Sequence, residues 1–386
     1  MRLLHLHDAP RIAGGATSYL KRLFEEAHRR GHEQWAYSLD EEASHPALKG
    51  TRAFRYAWPA SARRRRQDFH WKCPALAKDL ESWIAQIRPD LIHVQNCAVF
   101  RSTIFPVLAA SQVPVAMTVH DFSLTNPNPT GQPRRGMTGA LKSWLDRRSL
   151  VRSRAAVFSA VDLFLCPTEA LLHGVGFPSQ KARLQRLPIQ AAEITAAPPP
   201  QPFRLLFAGS LYRSKGVDVL LRALAQAGGA AQDCQLQIAG DGDQRAELER
   251  MRNELRLQDR VIFLGHCDAA KMETAYAECH TLVLPSRVPE NSPLTVLEAG
   301  ARGRPAIAPA AGGVPELLSD NRGWLFQPEN AEQLARRLEA AAADPAATAE
   351  RGARMRAWVR TEFDAARHWD DLEAAWRGLV KEGSAR

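Results

Sequence analysis

The chain has 386 residues, of which 45% are hydrophobic and 24% charged, with a formal net charge of +9. That balance excludes a disordered chain, the length predicts two to three domains, two before three, and no stretch reaches the roughly 18 apolar residues a membrane span needs. The basic excess favours anionic partners such as nucleotides, phospholipids or nucleic acid without choosing among them.

The first apolar run, "RLLHLH", is short and broken by His5, His7 and Asp8, so it reads as a buried strand rather than a signal peptide, and the expected location is cytoplasmic. "GGAT", Gly14 to Thr17, follows and opens a helix over "TSYLKRLFEEAHRRG". Small residues there let backbone N–H groups approach an anion at the positive helix end, and a plain tight turn explains them equally well. Then come "QWAYSL", the helical "ALAKDLESWIAQI", and the strand-like "LIHVQ", "VPVAMTVH" and "VDLFLCP". Such alternation predicts a parallel sheet with helices on both faces. In such sheets ligands bind beyond the carboxyl ends of the strands. His120 and Asp121, just after "VPVAMTV", are therefore either a structural polar pair or part of a site.

Two basic stretches stand apart: "RRRR" at Arg63 to Arg66 and the Trp-containing run from Arg134 to Arg154. Each is a solvated face or a surface for anionic lipid at the inner membrane face. Nucleic-acid binding lacks an aromatic-basic motif of a recognised kind. The six cysteines, Cys73, Cys97, Cys166, Cys234, Cys267 and Cys279, stand singly and without His at metal-ligand spacing, so they read as buried free thiols and no metal site is expected.

The Pro- and Ala-rich "QAAEITAAPPPQP" reads as a linker, after which strand and helix patterns alternate again from "FRLLFAG" to "GWLFQP". "FAGSLYRSKGVDVLLRAL" sets Gly209, Arg213 and Lys215 ahead of a helix, basic groups placed for a phosphate although the spacing is not that of a P-loop. In "IAGDGDQRAELE", Asp241 and Asp243 read as caps of the following helix. In "VPENSPLTVLEAGARGRP", Ser292 is the expected N-cap and Pro293 the first helical residue, with Glu290 just outside and Glu298 inside the helix. The free amides of Leu294 and Thr295 would face a phosphate, and the two carboxylates would accept bonds from hydroxyls on either side: a pattern suited to a nucleotide-sugar. A solvent-facing Glu298, a loop Glu290, or a glycosidase carboxylate pair are the alternatives. Ala-rich amphipathic runs, "AEQLARRLEAAAA" and "AARHWDDLEAAWRGLV", predict a helical tail.

These strings, with "RVIFLGH", "LVLPSRVPENSPLTVLEAGARGRPAIA" and "GGVPELL", resemble the C-terminal domain of family 4 retaining glycosyltransferases of the GT-B fold, and the E-x7-E of Glu290 and Glu298 is the most specific of them. The first half is similar through "RRGHE", "PDLIHVQN", "AMTVHDF" and "CPTEAL". The resemblance implies an α/β chain of two Rossmann-like, doubly wound parallel-sheet domains facing a central cleft. Residues 1–190 would bind acceptor, 191–202 link, 203–365 bind a nucleotide-sugar, and 366–386 form a helix returning to the first domain.

By the same resemblance, Glu298 would hold the ribose hydroxyls, Glu290 those of the transferred sugar, and Lys215 the diphosphate, assisted by the Leu294 and Thr295 amides. Gly265 and His266 would face the base, while Gly15 would lie near the phosphates and His120 near the reacting sugar. The implied reaction moves a sugar from a nucleotide-diphosphate sugar, UDP before GDP, to a hydroxyl of a glycan, glycolipid or small molecule. It needs no cofactor, metal or enzymic nucleophile, because the leaving phosphate takes the acceptor's proton on the same face. Two positions depart from the pattern: Ser210 stands where the family commonly has Arg, which Arg213 would replace, and Pro293 where many members have Gly. A noncatalytic nucleotide-sugar binder and a GT-B epimerase or phosphorylase are the competing readings.

Overall fold

The computed structural model describes residues 1–7, 15–39, 45–55, 72–97, 100–125, 137–189, 198 and 200–384. Arg63 to Arg66, Arg134, Gly14 and most of the expected linker lie outside these residues. The chain forms two compact units: the first takes in Met1–Pro129, Pro133–Leu187 and Ala366–Arg386, the second is built on Pro188–Ala365.

In the first unit, β1 (Arg2–His7), β2 (Glu33–Leu39), β3 (Gly50–Phe54), β4 (Leu91–Asn96), β5 (Val115–Thr118), β6 (Leu163–Cys166) and β7 (Ala182–Leu184) form one sheet in the order β3-β2-β1-β4-β5-β6-β7. Every pairing is parallel. Central strands covered on both faces are largely apolar; Leu3, Leu4 and Leu6 of β1 are accordingly buried, with His5 and His7 buried between and after them. Helices α1 (Gly15–Arg29), α2 (Pro74–Ile87), α3 (Arg101–Ala110), α4 (Met137–Ala160) and α5 (Glu169–Gly174) connect them. Tyr19, Leu20, Leu23, Phe24 and Ala27 give α1 one buried stripe at helical spacing.

The second unit repeats the scheme. Strands β8 (Arg204–Ala208), β9 (Gln235–Ala239), β10 (Val261–Gly265), β11 (Thr281–Val283), β12 (Ala306–Pro309) and β13 (Gly323–Phe326) run in the order β10-β9-β8-β11-β12-β13. All are parallel, and the order reverses between β8 and β11. Helices α6 (Val217–Gln226), α7 (Arg245–Glu254), α8 (Ala269–Glu278), α9 (Leu294–Ala301), α10 (Val314–Leu318), α11 (Ala331–Ala343) and α12 (Pro345–Glu362) cover the sheet. The expected pair of doubly wound parallel sheets is thus the observed fold. Helix α13 (Ala365–Ser384) ends the described chain and packs in the first unit. All six cysteines are free; Cys73 and Cys267 are half-buried, so only the other four fit the reading as buried thiols.

The core of the first unit is lined by imidazoles. Nε2 of His5 donates to Oε1 of Gln34 at 3.1 Å, and Nε2 of His93 to Oγ1 of Thr118 at 2.9 Å. In α13, Nδ1 of His368 donates to the Arg186 carbonyl at 2.7 Å, which leaves Nε2 to accept from the Tyr19 hydroxyl at 3.1 Å. Trp369 stacks on Tyr19, and Trp376 meets the rings of His93 and His32. Burial lowers these imidazoles from 6.5, His5 to about 3 and His7 and His368 to about 4.

An unfolded chain takes up protons on these groups near 6.5, the folded chain only near 4, so their contribution is full above 6.5 and drains away as pH falls. Each loses about 1.4 kcal/mol per pH unit across that window. Hydrogen exchange in β1, β4 and α13, corrected for intrinsic rate, is expected to accelerate steadily from pH 7 to pH 5. Protection that stays flat over that range would remove the imidazoles as the cause.

Candidate functional site

The turns that follow β8 and β11 flank the point where the strand order of the second sheet reverses, the place where such sheets leave a crevice. The turn after β8 is pinned by main-chain contacts to the turn after β9, which is held in the same way to the end of β10. Gly209 donates to the Ala239 carbonyl at 3.0 Å, Leu211 to Asp241 at 2.9 Å, Gln244 to Leu211 at 3.0 Å and Gly240 to Gly265 at 2.8 Å. At Gly240, φ is +142° and an added Cβ would lie 1.9 Å from the Gly209 carbonyl oxygen, so only glycine lets the two backbones meet. This corrects the expected role of the aspartates. Asp241 turns its carboxylate onto the Gly242 amide, and the cap position of α7 belongs to Gln244, with no side-chain bond. The approach of Leu211 to the 241–244 turn sets that geometry before any cap can form.

Beyond Ser210, which is half-buried, Arg213–Lys215 forms a single 3-10 turn. The Arg213 side chain is exposed and has no ion pair among the described residues. Nζ of Lys215 donates to Oε1 of Glu290 at 2.7 Å, and Oγ of Ser286 donates to the same oxygen at 2.8 Å. The two loops are locked by Arg287. Its amide donates to the Ser214 carbonyl at 2.8 Å and its Nη1 to the Arg213 carbonyl at 2.9 Å, while the guanidinium grips both Asp218 oxygens at 2.6 Å and Oε1 of Glu329 at 2.7 Å. Burial alone would raise the Asp218 carboxyl, but the hydrogen bonds and charge of Arg287 and Arg222 hold it below the usual range. The Arg287 guanidinium is in turn raised by Asp218.

Helix α9 begins one residue later than expected. Pro293, at φ −65° and ψ 112°, occupies the cap position, and its carbonyl takes the amides of Val296 and Leu297 at 3.1 and 3.3 Å. Ser292 does not cap the helix; its Oγ is buried without a partner among the described residues. Proline is already extended at the cap position, so Leu294 becomes the first helical residue. The amides of Leu294 and Thr295 then lie in the first turn, where the helix itself offers no acceptor.

Glu298, half-buried on α9, accepts at Oε2 from the Tyr276 hydroxyl of α8 at 2.8 Å. Burial, then the charge of Glu298, drives the Tyr276 phenol far up. Arg302 completes the arrangement: its guanidinium lies 4.8 Å from the Tyr276 ring centre, donates to the Glu298 carbonyl at 2.9 Å, and pairs with Glu273. At the end of β10, Gly265 takes φ +70° and His266 is exposed, while the Arg245 guanidinium lies 4.7 Å from the Phe263 ring centre.

The first unit places its own polar groups at strand ends. Nε2 of His120, after β5, donates to Oε1 of Gln95 at 3.1 Å, and Nε2 of Gln95 donates to Nδ1 of His93 at 3.0 Å. The His120 ring also meets Tyr19 edge-on at 5.6 Å. Burial lowers His120 to about 4, against the pull of Asp121, so at neutral pH it is a hydrogen-bonding group rather than a cation. Gly15 is the exposed first residue of α1. Lys215, Glu290, Leu294, Thr295 and Glu298 thus gather on adjoining segments of the second unit, Gly209, Ser210, Arg213, Gly265 and His266 lie on strand-end turns of the same unit, and His120 and Gly15 belong to the other. Ser286, Arg287 and Tyr276 were not singled out in the sequence; the basic residue of "SRVPE" was the one available signal for Arg287.

Residues 192–358 match the family described as glycosyl transferases group 1, and residues 13–195 match glycosyltransferase family 4. Among curated proteins the chain is similar to an alpha-D-kanosaminyltransferase of Streptomyces kanamyceticus, 26% identical over 248 residues, covering 60% of this chain and 62% of that one. The chain spans less than two thirds of the length of the curated relatives it matches first. Among solved structures it is similar to sucrose-phosphate synthase from Thermosynechococcus elongatus, with TM-score 0.79, 21% identity and 99% of each chain covered. It is also similar to Anabaena HepE in complex with UDP and glucose, with TM-score 0.72, 19% identity, and 98% of this chain and 100% of that one covered. At such identities the likeness is one of fold, GT-B with its two Rossmann-like sheets.

The loop that carries Glu290 depends on a close backbone approach. Its carbonyl accepts from Gly313 at 2.8 Å, and Gly312, at φ +63°, would place a Cβ 2.2 Å from that carbonyl oxygen. Gly312→Ala is expected to destabilise the second unit by about 1–3 kcal/mol through strain and overpacking. Urea denaturation of the variant beside the parent measures this, and equal midpoints would contradict the packing described.

Proposed function

This chain belongs to the group 1, family 4 glycosyltransferases, and from that premise we propose that it moves a sugar from a nucleotide-diphosphate sugar to an acceptor hydroxyl with retention of configuration. The observation that carries the proposal is the meeting of Lys215 and Glu290 at the reversal point of the second sheet, on the loop that leads into the amide end of α9. An ammonium and free helix amides suit a diphosphate, and carboxylates on either side suit hydroxyls. In this reading Lys215 and the amides of Leu294 and Thr295 stabilise the charge that develops on the departing diphosphate. Glu298, oriented by Tyr276, accepts from the ribose hydroxyls, and Glu290 from those of the transferred sugar. Gly209, Ser210 and Arg213 line the phosphate turn, and Gly265 and His266 face the base.

In the first unit, Gly15 leaves the first turn of α1 open to an anion, and His120, neutral at pH 7, is able to donate to a sugar hydroxyl. The leaving phosphate takes the proton of the acceptor, so no cofactor enters. UDP is the proposed base ahead of GDP, in keeping with the UDP bound to the similar HepE. The acceptor is a hydroxyl of a glycan, glycolipid or small molecule.

A thermal-shift screen of nucleotide-sugars is expected to single out one base and sugar, because a ligand that prefers the folded chain raises its melting temperature. With that donor, Glu298→Gln should weaken donor binding by about 10- to 100-fold, the loss of bonds to a charged acceptor. Lys215→Ala should lower kcat about 100-fold while the fold survives. Steady-state kinetics of both variants checks this, and parent-like values in both would remove the site.

A membrane-facing acceptor is favoured by α4, which exposes Arg147, Arg148 and Arg152 around Val151, itself 67% exposed. Basic residues beside an exposed apolar one favour an anionic lipid surface. Pelleting with vesicles is expected to rise with anionic lipid content and to fall with salt. Binding indifferent to lipid charge would withdraw the membrane from the proposal.

A further inference from the structure

Lys215 and Glu290 satisfy each other within the protein. Oε1 of Glu290 receives both the Lys215 ammonium at 2.7 Å and the Ser286 hydroxyl at 2.8 Å, and the two side chains are 30% and 17% exposed. The backbones that carry them hold firm, Lys215 through the Arg287 links to Ser214 and Arg213, and Glu290 through Gly313. A diphosphate bound at this lysine therefore meets a resident anion competing for the same cation, at a distance the loops do not relax.

We infer that Glu290 is a built-in counterion of Lys215 that makes the site favour an intact nucleotide-sugar over the bare nucleoside diphosphate; the inference rests on the site assignment proposed above. When the donor binds, Lys215 turns to its diphosphate. Glu290 loses a cation but gains the hydroxyls of the attached sugar, so each partner finds a replacement. After transfer the sugar has gone. The nucleoside diphosphate still draws on Lys215, and Glu290 is left with Ser286 alone, a half-compensated carboxylate close to a polyanion. Return of Lys215 to Glu290 then helps expel the product. One carboxylate in this way both recognises the sugar and discriminates against the nucleotide without it, which a purely structural ion pair would not do.

Glu290→Gln tests this because glutamine keeps the size, can still accept from Ser286 and leaves the Gly313 bond in place. Calorimetric binding of UDP and GDP, and of UDP-glucose in parallel, would be compared for the parent, Glu290→Gln, Lys215→Ala and the double variant. Glu290→Gln is expected to bind the nucleoside diphosphate about three- to fivefold more tightly, the worth of a partly exposed ion pair, and to bind the sugar nucleotide no more tightly than the parent. In the Lys215→Ala background the gain should vanish. Diphosphate binding that is equal or weaker in Glu290→Gln, with Lys215→Ala weakened as expected, overturns the counterion alone. A parent that binds neither UDP nor GDP, or a Lys215→Ala variant that binds like the parent, overturns the site assignment along with it.

Discussion

The chemistry available to the second unit depends on one constraint: the turns after β8 and β11 must be held edge to edge where the strand order reverses. Parallel sheets create the opening there, but an opening does not orient side chains. Arg287 does that. Its planar fork reaches Asp218, Glu329 and the Arg213 carbonyl at once, and its own amide holds Ser214, so the Lys215 turn cannot move apart from the Glu290 loop. Lysine at this position would offer one compact charge and could not span those acceptors. The glycines at 240 and 312 serve the same end by letting carbonyl oxygens lie where a Cβ would stand.

The two units solve burial of polar groups differently. In the second, carboxylates and cations pair off near the surface, as in Arg287 with Asp218 and Arg302 with Glu273. The first has such pairs too, Arg30 with the buried Glu26 among them, but adds chains of neutral hydrogen bonds among imidazoles, amides and hydroxyls, from His120 through Gln95 and His93 to Thr118. Neutral chains avoid the desolvation cost of buried ions, and they fix tautomers, since each donor dictates what the next ring can accept. Helix α13 is bound into the same scheme by His368 and by the Trp369 and Trp376 rings.

Much of this was legible in the sequence because buried parallel strands are largely apolar runs, even where β1 and β4 carry imidazoles, and the helices between them carry a stripe. Where those signals are weak the reading missed elements. Every residue of β3 is only half-buried at a sheet edge, β7 is three residues long, α3 carries Pro106 in its interior, and α12 lacks a clear apolar stripe. The caps at Ser292 and at Asp241 or Asp243 failed for a different reason. Capping preference is a local tendency of under about 2 kcal/mol, and close tertiary contacts of the Leu211 and Pro293 segments override it. The pairing of Tyr276 with Glu298 links residues 22 apart on two helices, and no local pattern announces it.

The E-x7-E spacing itself conveys less than the environments the fold gives its two members. Glu290 sits in a loop and meets a cation and a hydroxyl at the same oxygen. Glu298 sits on a helix and meets a phenol whose proton is held too tightly to be given up. A carboxylate already matched to a cation can be exchanged against another anion. One whose oxygen is held by a phenol, with the Arg302 charge near but bound to the Glu298 carbonyl and to Glu273, keeps its own charge directed at further hydroxyls. Identical side chains eight positions apart thereby acquire unlike electrostatics, because one faces the basic turn after β8 and the other the aromatic face of α8.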